Sequence, residues 1–77
     1  MSNDRLKFAI LEIVENQIKM DDPPCAGRTF RRLVSSGYTD KEAKEMIGAV
    51  LIEDIYFILK DKQSFDVEKY SKRLDDL

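Results

Sequence analysis

The chain has 77 residues, 13 basic and 15 acidic side chains, one Cys, no His and no Trp, which is the size of one small domain. Without His and with a lone Cys, one chain cannot assemble the usual zinc site, a Ser-His-Asp triad or a Cys-His nucleophile. The net charge of −2 gives no general attraction to nucleic acid or an anionic membrane, and an apolar share of 43% excludes wholesale disorder.

The first predicted helix covers residues 4–20. Leu6, Ala9, Ile10, Ile13, Val14 and Ile18 recur at i, i+3, i+4 and i+7 and form one apolar stripe. Gln17 lies inside that stripe, and Phe8 falls on the polar side with Glu12, Glu15 and Lys19. Asp21-Asp22-Pro23-Pro24 ends the helix, because proline cannot continue it. The same residues open a second helix, about 23–36, with Asp22 as its cap and Pro23 in its first position. Its expected buried face is Ala26, Phe30, Leu33 and Val34, opposite Arg28, Arg31 and Arg32. Gly37 supplies the positive φ of a Schellman stop, with Tyr38 folding back on Leu33.

Thr39-Asp40-Lys41-Glu42 is a capping box: the Thr39 hydroxyl takes an amide proton and Glu42 reaches back. It opens a third helix, about 40–60, whose second half has almost no polar face. A helix apolar all round is expected to be central and covered on several sides. Phe65-Asp66 opens a fourth helix, about 66–76, with Asp66 as cap and Phe65 stapled to Tyr70. Val67, Tyr70, Leu74 and Leu77 form its inner line. The expected fold is a single all-α domain, a compact array of four helices with helix 3 central. No run reaches the ~18 apolar residues of a membrane span. The start lacks the basic and apolar regions of a signal peptide, so the chain reads as cytoplasmic.

Several short pieces stand in a telling order: Glu15-Asn16-Gln17, Asp21-Asp22-Pro23-Pro24, Arg32-Leu33, Gly37-Tyr38, Glu42-Ala43, Ile47-Gly48-Ala49-Val50-Leu51 and Glu53-Asp54-Ile55-Tyr56, then Phe65 and Tyr70. In this the chain resembles a group of small bacterial helical proteins and domains of unknown function, over about four fifths of its length. The resemblance implies a bacterial, cytoplasmic, all-α protein and no activity. Some members of that group carry His at the positions of Lys41 and Glu45, a stretch like His-Glu-x-x-His that suits a metal. Here Lys41 is a cation and cannot ligate while charged.

Asp54 is the most informative polar residue. Its helical neighbours Ile47, Val50, Leu51, Phe57 and Ile58 are apolar, and a carboxylate so placed is costly unless paired. The structural expectation is a pair or hydrogen bond with an Arg of helix 2, a Tyr hydroxyl or Gln17. The functional alternative is a small-ligand or hard-cation site built from Glu53 and Asp54. Adjacent acids point about 100° apart on a helix, so they do not converge as a glycosidase pair does. Gln17 is expected to meet Asp54 or the Asp22–Pro23 turn, or to lie exposed where the helix frays. Arg28, Arg31 and Arg32 form a basic stripe, which reads as a solvated face or as a weak nucleic-acid contact. Cys25, in the first turn of helix 2 near Arg28 and Arg32, is expected to have a lowered pKa. Phe8 and the apolar second half of helix 3 suggest an interface. The leading reading is a non-enzymatic protein-interaction module, a homodimer or an accessory of an unknown protein partner, with no cofactor and no metal.

Overall fold

The computed structural model describes residues 4–77. Met1, Ser2 and Asn3, on which the expectation about a leader peptide partly rests, lie outside the described residues. Among the described residues there are four helices and no strand: α1 (Asp4–Met20), α2 (Pro24–Ser35), α3 (Asp40–Asp61) and α4 (Val67–Asp75). Their extents match the sequence periodicity to within a residue or so. Helix α3 packs against each of the other three, and α2 also packs on α1 and α4. Backbones of α1 and α4 do not approach each other. The radius of gyration, 12.2 Å, is close to the ~11.5 Å of a compact chain of this length.

Local chemistry sets the boundaries. The Thr39 hydroxyl accepts from the Glu42 amide at 3.1 Å, and the Glu42 carboxylate accepts from the Thr39 amide at 2.9 Å, the two halves of a capping box. Asp66 accepts from the Lys69 amide at 3.2 Å, and the Phe65 and Tyr70 rings meet at 5.3 Å. Gly37, at φ 109°, closes α2: its amide donates to Val34 O and that of Tyr38 to Leu33 O, the bonds of a Schellman stop.

Asp22 does not cap α2. Pro23 takes the cap position with extended backbone and no side-chain acceptor, and Pro24 begins the helix. The second proline sets this register, since its missing amide makes it the better first residue. Asp22 instead closes α1. Its amide donates to Gln17 O while that of Asp21, left-handed at φ 54°, donates to Ile18 O.

The core is Ile10, Val14, Cys25, Leu33, Ala43, Ile47, Val50, Leu51, Tyr70 and Leu74, with Ile18, Phe30, Met46, Ile55 and Leu77 against it. Each large side chain so buried contributes roughly 1.5–3 kcal/mol. Gly48 lets α1 approach α3: a Cβ there would stand 3.2 Å from Ile10 Cγ2. Ion pairs Lys7–Glu45 (2.9 Å) and Lys44–Glu15 (3.1 Å) tie α1 to α3.

The expected faces are wider than the real ones. Leu6, Ala9 and Ile13 of α1, Val34 of α2 and Val67 of α4 are exposed. The buried side of α2 turns instead toward Cys25 and Thr29. The largest correction concerns α3. Its buried residues end at Asp54, and beyond it Tyr56 (58% exposed), Phe57 and Leu59 (74%) face outward. Burial reaches about two thirds of the way along this 22-residue helix, and only Ile55 and Ile58 beyond it stay half-buried.

Candidate functional site

Among the described residues the buried polar side chains are Thr29 on α2 and Asp54 on α3, and Asp54 sits where α3 meets α4. Asp54 is 8% exposed, and an Arg73 Nη1 proton is donated to its Oδ1. The other end of the same guanidinium donates to Glu53 Oε1 at 2.6 Å. One cation of α4 therefore clamps both acids of α3, with Asp54 inside and Glu53 largely in water. Two adjacent acids that diverge on their helix can be bridged this way, because guanidinium nitrogens are set apart in a rigid fork. A charge taken out of water costs several kcal/mol unless such a partner meets it.

The partner comes from α4, whereas the expected ones were an Arg of α2, a Tyr hydroxyl or Gln17. A signal for it exists: at about 100° per residue Arg73 borders the apolar line of Tyr70 and Leu74 on α4 rather than opposing it. Gln17 also has a partner outside the expected set. The Tyr70 hydroxyl donates to Gln17 Oε1 at 2.8 Å, and Gln17 is half-buried rather than frayed. This bond joins α1 to α4, whose backbones do not meet. Burial pushes the Tyr70 phenol above its ordinary range, with Cys25 and Asp54 nearby adding to the rise.

Cys25 reverses its expectation. It is 4% exposed, and burial raises its thiol pKa while Arg28 and the Ser71 hydroxyl pull weakly the other way. Helix start and cations do not offset desolvation, so the thiol stays protonated near neutral pH. The arginine stripe also does not stand as a free basic face. Arg28 donates to Ser71 Oγ at 3.3 Å. Arg32 donates to the carbonyls of Leu77 and Leu74 at 2.8 and 3.0 Å, closing the end of α4. Arg31 is exposed. Phe8 is 70% exposed. Glu45 is held by Lys7, which lowers its carboxyl pKa.

Beside the clamp lies an open groove of about 640 Å³ between α3, the turn after it and α4. Phe57, Ile58 and Phe65 give it an apolar floor, and Glu53, Asp61, Asp66 and Lys69 stand at its edge. Among the described residues no three His, Cys, Asp or Glu side chains are grouped to hold a metal. None of their helices is long and apolar enough to cross a membrane. Comparison with protein-family models, with curated proteins and with solved structures found no match to this chain.

Proposed function

We propose that this protein is a non-catalytic interaction module of the bacterial cytoplasm that docks other protein surfaces through the outward apolar sides of α1 and α3. The observation that carries this reading is the exposed side of α3 beyond Asp54, together with Phe8. A small domain gains nothing in its own core from Tyr56, Leu59 and Phe8 at 58, 74 and 70% exposure, and contiguous apolar surface of this kind marks contact sites. The interior groups also suit structure better than chemistry. Asp54 is clamped by Arg73, and the Cys25 and Tyr70 protons are held more tightly by burial.

The test uses tagged protein beside Phe8→Glu and Tyr56→Glu variants as parallel baits in native lysate, with a differently tagged second copy present. A stoichiometric protein, or the second copy, retained by the parent and lost by either variant supports the reading. Identical eluates from folded parent and variants overturn it.

The groove beside Glu53 and Asp54 favours a second reading, a small-ligand or hard-cation domain. Thermal melts with Mg2+, Ca2+ and a metabolite panel test it. A rise in melting temperature that Glu53→Gln abolishes supports it, and no response to any of them removes it.

A further inference from the structure

On the outward side of α3, Ala49, Ile52, Tyr56 and Leu59 are all exposed. Their spacing of three, four and three is that of the a and d positions of two heptads, so they form one straight apolar seam. Glu53 and Lys60 lie along one edge of this seam, seven residues apart. Gly48 and Ile55 lie along the other. At one end the seam opens into a shallow groove between α1 and α3, about 270 Å³, lined by Ile10, Leu11, Ala49 and Ile52 and flanked by the Lys7–Glu45 ion pair.

We infer that the occupant of this seam is a second copy of the same chain, packed antiparallel across α3 about a two-fold axis near Asp54. The inference rests on the interaction-module reading and names its partner. Antiparallel packing about that point sets Ile52 opposite Tyr56 of the second copy. It sets Ala49, the smallest seam residue, opposite Leu59 of the second copy, which is 74% exposed. Leu59 then enters the groove beside Ala49, whose single methyl leaves it open. Every contact occurs twice, as an isologous dimer requires.

Charge chooses the orientation. In antiparallel pairs like edges of the seam face each other, so Glu53 of each copy lies beside Lys60 of the other. Parallel packing would set both charges against Gly48 and Ile55, which carry none, whereas Glu53, 62% exposed beside Arg73, still presents a free face to Lys60 of an antiparallel copy. Lys60 already stands over the Tyr56 ring at 5.8 Å from its centroid, which places its ammonium at the seam edge. A two-heptad seam is smaller than the ~800 Å² per partner of a standard interface, so this dimer is a weak one.

Sedimentation equilibrium up to about 1 mM protein tests it on the full chain, with circular dichroism confirming that each variant is folded. The expected mass rises with concentration from 9.0 kDa toward twice that. Tyr56→Glu and Leu59→Glu each raise the dissociation constant at least tenfold. Glu53→Lys and Lys60→Glu each weaken self-association, while an equal mixture of the two recovers it as a heterodimer. A folded parent that stays at monomer mass overturns the second-copy proposal and leaves the interaction-module reading to its own bait experiment. A dimer insensitive to all four variants overturns the seam while keeping self-association. A mixture no tighter than its components overturns the antiparallel arrangement.

Discussion

At the residue scale the molecule depends on a few polar side chains that each have one partner available. Arg73→Met should lower the unfolding free energy by about 2–4 kcal/mol, because Asp54 stays behind, buried and without its cation. Glu53→Gln removes a partner that is mostly in water and should cost less than about 1 kcal/mol. Urea unfolding of the two variants checks the inequality; equal costs would mean that Asp54 reaches water. Cys25 and Tyr70 make a second prediction, about alkaline pH. Their folded pKa values lie above the ordinary 9.0 and 10.0, so the unfolded chain loses these protons first. Stability contributed below those values then falls as pH rises through them, by up to about 1.4 kcal/mol per pH unit for each group. The urea midpoint, measured under reducing conditions, should begin to fall near pH 9 and more steeply above pH 10. Tyr70→Phe should remove the steeper part, and a midpoint flat across this window would place both groups in water.

At the element scale, what could be read from the sequence is what closes within a few residues. The Thr39–Glu42 box, the Asp66 cap, the Phe65–Tyr70 contact and the Gly37 stop each join residues at most five apart. Asp22 failed as a cap because two neighbouring prolines compete for the first helical position, and composition does not say which prevails. Asp54 was legible as a residue needing a partner, but Arg73 is 19 positions away and only the packing of α4 brings it near. Gln17 and Tyr70, 53 apart, are a further step from local pattern. Two substitutions separate local from packing effects. Thr39→Ala should cost about 1 kcal/mol through the lost cap alone. Gly48→Val meets Ile10 across the closest approach of α1 and α3 and should cost about 1–3 kcal/mol by overpacking, despite the better helix propensity of valine. A Gly48→Val variant as stable as the parent would show that α1 can move aside.

At the scale of the whole molecule, α4 is the closing element. It supplies Arg73 to Asp54, Tyr70 to Gln17 and the carbonyls that receive Arg32, while Tyr70 and Leu74 fill the core. A domain of this length has only about 4–12 kcal/mol of net stability. A chain ending at Lys62 should therefore lose cooperative thermal unfolding altogether, and retention of a sharp transition would show that three helices suffice. The outer half of α3 makes the opposite prediction. Tyr56→Ser and Leu59→Ser touch side chains that no other helix covers, so in dilute solution each should change the unfolding free energy by no more than about 0.5 kcal/mol. Loss of more than that would mean that these side chains belong to the core. Unchanged stability would mean that the fold does not need them, which is the condition that the proposed docking seam requires.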